Sequence, residues 1–277
     1  MKNILLLTDF SSNSKNALDY ALKFFKGGDY HFFILNVHRT SNYATGELWS
    51  ATPSSSVYDS ILKTPKDKLA IMVAKFEKEF SNESYTFEVI CDYDTFISAV
   101  NQTVKIKSID LIVMGTNGAT GAKEVIFGSN TISVIRNVDR PVLVVPQKYK
   151  FSRPTRILFA CEMDELFIEK SLLPLSYILS KYNAELEILT IGNEKSTEQI
   201  SDKKSKINTF FKGTKHNFYT ITDVAADIAI DSFVQINKVD LVAKIINKES
   251  FLKRLLSKSS MSELTYKTKV PLLIMHS

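Results

Sequence analysis

The feature that most constrains this chain is an alternation that runs its whole length. Short apolar runs rich in β-branched residues are separated by stretches of helical period. That pattern belongs to βαβ units, and it predicts an α/β fold with a parallel sheet. In the first half strands are expected at residues 4–8, 31–38, 86–91, 110–115 and 141–146, with helices at 14–25, 65–80, 95–107 and 126–137. Five strands with intervening helices make one doubly wound domain. The second half offers strands at 156–161, 186–192, 216–222, 240–245 and 271–275.

The two halves are related in sequence. A constant shift of 130 residues pairs Val104 with Val234, Asp110 with Asp240, Leu111 with Leu241, Ser129 with Ser259 and Pro141 with Pro271. Near the start of each half the shift is 153, pairing Ile4 with Ile157, Leu5 with Leu158 and Asp9 with Glu162. The expectation is a tandem repeat of two five-stranded, doubly wound domains, residues 1–147 and 155–277, joined by a linker at 148–154. The second copy is about 23 residues shorter, and the difference falls at residues 39–62, an insertion that contains Trp49. So long a connection is expected to be a flap over a ligand or a solvated insertion.

Composition excludes several classes. Basic residues number 17 against 15 acidic ones in residues 1–150, and 18 against 15 in the remainder, so neither half is a basic module of the nucleic-acid-binding kind. Cys91 and Cys161 are too few and too scattered for a disulfide framework or a zinc cluster. His31, His38, His216 and His276 show no metal-ligand spacing. No apolar run reaches the 18 or so residues of a membrane span, and the N-terminal apolar run is too short for a signal peptide. A cytoplasmic protein without membrane or nucleic-acid partners is expected.

Glycine is scarce, nine in 277 residues, yet Gly115, Gly118, Gly121 and Gly128 fall within 14 residues of one another. They follow the fourth strand. In an open parallel sheet ligands bind beyond the carboxyl ends of the strands, where the strand order reverses. Residues after the first strand, Thr8-Asp9-Phe10-Ser11-Ser12, and after the fourth, Gly115 to Gly121 leading to Gly128-Ser129-Asn130-Thr131, are therefore the candidates. Glycines let backbone N–H groups approach a phosphate, and Gly128-Ser129 opening a helix places free N–H groups and a hydroxyl where an anion is favoured. No Walker A run exists, and a dinucleotide fingerprint would follow the first strand. A tight loop with a helix start is the plain alternative, and for Asp9 the alternative is a helix N-cap.

Gly115-x2-Gly118-x9-Gly128-Ser129, between Leu111-Ile112-Val113-Met114 and Pro141-Val142-Leu143-Val144-Val145-Pro146, resembles the ATP-binding signature of universal stress proteins. The opening Ile4 to Ser11 is similar to that family's first strand. The resemblance implies an adenine-nucleotide α-hydrolase-like fold and ATP, with or without magnesium, at the switch point. It implies that Asp9 contacts the adenosine end and that the Val37 backbone contacts adenine. Met114 and Gly115 would lie by the ribose, and Gly118, Gly128, Ser129 and Asn130 would hold phosphates.

At the shift of 130 the second copy carries Ile245, Lys248, Phe251 and Lys258 in place of the four glycines, and only Ser259 survives. No nucleotide is expected there. Lys248, Lys253, Arg254 and Lys258 form either a basic anion site or a solvated helix face. For phosphoryl transfer the first half offers Lys123 and Glu124 but no arginine finger and no acidic pair suited to magnesium. The expected function is a non-catalytic, nucleotide-dependent stress-response module. A slow ATP hydrolase and a ligand-free scaffold stand as alternatives. The apolar fifth strands, 141–146 and 271–275, would be sheet edges in need of a partner. Universal stress proteins pair through this strand, so an intrachain pseudo-dimer is expected, with further homodimerisation open.

Overall fold

The computed structural model describes residues 2–38, 55–116, 127–162, 169–192, 197–246 and 269–277. In chain order the elements of the first half are β1 (Asn3–Leu7), α1 (Ser12–Phe24), β2 (Tyr30–Val37), α2 (Ser55–Glu79), β3 (Tyr85–Asp92), α3 (Phe96–Ile106), β4 (Leu111–Gly115), α4 (Ser129–Asn137) and β5 (Val142–Val145). The second half continues with β6 (Arg156–Glu162), α5 (Glu169–Tyr182), β7 (Glu185–Gly192), α6 (Thr197–Phe210), β8 (His216–Thr222), α7 (Ala226–Asn237), β9 (Leu241–Ile246) and β10 (Leu272–His276).

All ten strands join one sheet in the order β3-β2-β1-β4-β5-β10-β9-β6-β7-β8. Every pairing is parallel except β5 with β10, where Leu143 lies opposite Leu273. Within each half the order is that of a doubly wound unit, reversing between β1 and β4 and again between β6 and β9. The strand alternation sorts side chains to two faces. Ile4 and Leu6 pack under α1 and α2, with α5 and α6 covering the same face of the second half. Leu5 and Leu7 pack with α3 and α4, and α7 covers that face further along. The central strands are therefore predominantly apolar on both faces. The edges β3 and β8 alternate with exposed positions, as strands covered on one side only do.

The repeat is visible in backbone chemistry. The Asp110 carboxylate accepts from the N–H groups of Lys2 (2.7 Å) and Asn3 (3.0 Å). Asp240 does the same for Thr155 (2.7 Å) and Arg156 (3.0 Å). Just before each aspartate the helix exits through a left-handed residue, Ser108 at φ 48° and Lys238 at φ 50°.

The two halves also meet on the α1/α5 face. Tyr20 and Phe24 of α1 pack against Phe151, and the Tyr182 hydroxyl donates to the carbonyl of Phe24. Lys181 Nζ donates to the carbonyl of Lys26 at 2.7 Å, placing a cation at the C-terminal end of α1, where the helix dipole favours it.

The helix expected to begin at residue 65 begins at Ser55 instead. Pro65 suits a first helical turn, which made it read as a start. Upstream, however, Val57, Tyr58, Ile61 and Leu62 keep the helical period. The insertion is thus helical from Ser55. Its remainder, with Trp49, lies outside the described residues. The helix expected at 126–137 starts at Ser129, capped by Gly128, and Ile126 lies outside the described residues. Among the described residues no helix is long and apolar enough to cross a membrane.

Leu143 is fully buried opposite Leu273. Leu143→Ala is expected to destabilise the chain by about 2–5 kcal/mol through lost burial and a residual cavity. Ile71→Ala, at a position 72% exposed, should stay within about 0.5 kcal/mol of wild type. Urea unfolding followed by circular dichroism measures both.

Candidate functional site

Because the strand order reverses between β1 and β4, the loop leaving β1 turns to one face and the loop leaving β4 to the other. In open parallel sheets the crevice that takes a ligand lies at such a reversal, outside the carboxyl ends of the strands.

The β1 side is built from short-range hydrogen bonds. The Thr8 N–H donates to the Leu35 carbonyl at 3.0 Å, and the buried Asn36 amide donates to the Thr8 carbonyl at 2.8 Å. The chain then turns sharply. Phe10 sits at φ 63°, a conformation that costs an L-residue about 1–2 kcal/mol. Its N–H donates to Thr8 Oγ1 at 3.1 Å. The next N–H, of Ser11, donates to Asp9 Oδ1 at 3.0 Å. Ser11 is the N-cap of α1, its Oγ accepting from the Ser14 N–H at 3.1 Å. Asp9 is therefore not the cap. It lies two residues outside the helix with its carboxylate exposed. Burial opposes its charge, but the nearby Ser11 and Ser14 hydroxyls and the Ser11 N–H outweigh that and hold the carboxyl below its ordinary value.

The β4 side is built by contacts between distant residues. A Cβ on Gly115 would stand 2.7 Å from Asn13 Nδ2 and 2.9 Å from its Cγ, so glycine is the residue that lets buried Asn13 lie against the strand end. Thr131 Oγ1, in the first turn of α4, reaches the carbonyls of Gly115 (3.1 Å) and Thr116 (3.0 Å). The Gly128 N–H donates to the Thr116 carbonyl at 2.7 Å. These bonds fix the start of α4 beside the end of β4. The N-cap Gly128 supplies no side-chain bond, and Ser129 and Asn130 are exposed. The first N–H groups of α4 are left pointing outward, an arrangement that attracts an anion.

Asp9 thus follows the carboxyl end of β1, while Gly115, Gly128, Ser129 and Asn130 lie at the end of neighbouring β4 and the start of α4. Val37 ends β2, one strand away, half-buried and paired with Asp92. His38 follows it, exposed, with its ring edge-on to Tyr93. The Met114 side chain is 5% exposed and belongs to the core under α3 and α4, so only its backbone is available at the strand end. Gly118, Gly121, Lys123 and Glu124 lie outside the described residues. In the second half Ile245, matching Gly115, is buried in the core. Lys248, Phe251, Lys253, Arg254, Lys258 and Ser259 lie outside the described residues. Among the described residues no group of three or more His, Cys, Asp or Glu could hold a metal ion.

Asn13 and Asn36 escaped the sequence reading, and the role of Thr131, though it lies in the candidate stretch, did too. Each acts through a partner on another element, which leaves no local signal. The Ser11-x-x-Ser14 cap pattern could have been read.

The universal stress protein family model matches residues 1–146, more than half of the chain. A universal stress protein of Methanocaldococcus jannaschii is 29% identical over 149 residues, covering 54% of this chain and 84% of the relative. A second from the same organism is 24% identical over 155 residues, covering 53% of this chain and 96% of the relative. The crystal structure of a universal stress protein from Archaeoglobus fulgidus DSM 4304 superposes end to end, with a TM-score of 0.73 and 18% identity, covering 98% of this chain and 97% of that one. The chain belongs to the universal stress protein family, and its ten-stranded architecture recurs over the full length of that archaeal structure.

Gly115→Ala should destabilise the protein by about 1–3 kcal/mol, because the new methyl meets a buried amide. Combined with Asn13→Ala, the loss should be smaller than the sum of the two single changes, a coupling that a double-mutant cycle in urea measures. The lowered Asp9 carboxyl adds stability above the ordinary carboxylate range, which is lost as pH falls through its folded value. Asp9→Asn should therefore melt below wild type at neutral pH, and the gap should close below about pH 4.

Proposed function

We propose that this universal stress protein binds one adenine nucleotide, ATP with or without magnesium, at the crevice between β1 and β4, and that it acts as a nucleotide-dependent binding module rather than a catalyst. The observation that carries the reading is the pairing of two unlike groups at the switch point: a carboxylate held ionised on the β1 side, and an uncapped, exposed helix start on the β4 side. A nucleotide has matching ends. Its sugar offers hydroxyl donors to a carboxylate, and its phosphates accept from N–H groups.

In this reading Asp9 takes the adenosine end and the Val37 backbone faces adenine. The backbones of Met114 and Gly115 lie by the ribose, while Gly128, Ser129, Asn130 and the loop carrying Gly118 hold the phosphates. One helix start contributes only about 0.3–1 kcal/mol in an exposed setting, so the loop glycines must supply further N–H groups. The second half, with Ile245 filling the position of Gly115, is read as nucleotide-free. We read residues 1–147 and 155–277 as the two domains, and the β5–β10 pair as their intrachain pseudo-dimer contact. Both fifth strands are flanked on either side, so a homodimer of whole chains would use another surface.

Gly128→Asp separates binding from folding. Gly128 has the extended backbone that an N-cap aspartate adopts, so the variant should keep or gain helix stability. Its carboxylate would repel phosphate. Calorimetric titration with ATP should give one site per chain, weakened about tenfold or more in Gly128→Asp. Two sites per chain would overturn the asymmetric reading. An absence of binding, together with no adenine nucleotide released by acid from the purified protein, would overturn the nucleotide reading itself.

A further inference from the structure

On the α1/α2 face a groove of about 1030 Å³ runs along the surface, lined by one stripe of each helix. On α2 the stripe is Lys68, Ile71, Met72, Lys75, Phe76 and Glu79; on α1 it is Ser12, Lys15, Asn16, Asp19 and Lys23. Both stripes recur every three or four residues over twelve positions, about 16 Å of helix at 1.5 Å per step. Gln147, Lys148 and Lys150 complete the lining.

The groove combines apolar surface with unbalanced charge. Phe76 is buried, Phe10 and Met72 are half-buried, and Ile71 is 72% exposed. Ile71, Met72 and Phe10 line the one groove together, so the exposed Ile71 adds to a shared apolar surface. Lys23 is paired with Asp19 at 2.9 Å. Lys15, Lys68, Lys75, Lys148 and Lys150 have no carboxylate partner among the described residues, and Glu79 is the only other acid in the lining. Lys68 Nζ lies 5.7 Å from the centre of the Phe10 ring, so cation and apolar surface are interleaved.

We propose that this groove docks an acidic amphipathic helix of a partner protein, about three turns long. Its apolar stripe lies on Phe10, Ile71 and Met72, and its carboxylates face the lysines on both sides. Length, apolar surface and charge together select this occupant, which matches the helix-in-groove mode. Single-stranded nucleic acid would need a row of exposed aromatic faces for stacking, whereas the rings in the lining are the half-buried Phe10 and the buried Phe76. A bilayer would need a convex apolar face rather than a groove.

The groove adjoins the β1 loop through Phe10 and Ser12, and its test therefore contains no nucleotide. The probe is a fluorescein-labelled synthetic helix of about four turns, with leucines at helical spacing on one face and glutamates elsewhere, titrated with the full chain and read by anisotropy at about 50 mM salt. Binding is expected, weakened about tenfold or more by Lys68→Glu with Lys75→Glu and several-fold by Ile71→Asp, while circular dichroism stays unchanged. These positions are exposed, and the single variant Lys75→Glu serves if the double one unfolds. The proposal is overturned if the peptide does not bind, or if it binds wild type and the variants alike. It is equally overturned if an oligothymidine or phosphatidylserine-containing vesicles, and not the peptide, bind in a manner sensitive to these substitutions.

Discussion

Everything in this molecule is organised by the one antiparallel pairing in an otherwise parallel sheet. A doubly wound half ends in a strand whose outer row of N–H and C=O groups needs a partner, and β5 and β10 meet that need for each other. Because they run in opposite directions, the carboxyl ends of the first half's strands emerge at one edge of the sheet and those of the second half at the opposite edge. The two switch points therefore face away from one another. A ligand at one shares no wall with the other, and the residues at each can diverge separately.

The first switch point is held by helix α1 more than by its strands. At the start of α1 sit Ser11, Asn13 and Ser14, which shape the turn carrying Asp9 and fill the space under Gly115. At its end lie Phe24 and the carbonyl of Lys26, gripped by Tyr182 and Lys181 from the second half. One rigid element thus spans from the crevice to the contact between halves. The left-handed Phe10 is tolerated because hydrogen bonds on both sides of it fix the turn.

The strands and their order were legible because the signal for a buried parallel strand is local, a short apolar run between helical stretches. The repeat was legible for the same reason, and it reappears as the matched carboxylates of Asp110 and Asp240. The start of α2 was not, since Pro65 carries a strong start signal that overrides the helical period of Val57, Tyr58, Ile61 and Leu62 upstream of it. At the site the residue types could be read, Asp9 after the first strand and glycine after the fourth. Their reasons could not. Gly115 is glycine because of Asn13, about a hundred residues earlier, and α4 is placed by Thr131 reaching back to β4. Such dependencies are set by the fold and leave no trace in spacing.

The short connection from β5 to β6 has a consequence beyond geometry. Two separate copies would meet through their fifth strands only as often as their concentrations allow, but two copies on one chain see each other at an effective concentration on the order of millimolar. Assembly is then independent of how much protein the cell makes. A copy inside such a pair is kept for the surface it offers its neighbour, even when the residues at its own switch point have changed. Covalent linkage thus lets the two switch points differ while the seam is kept, and they do differ: Ile245 stands where the first copy has Gly115.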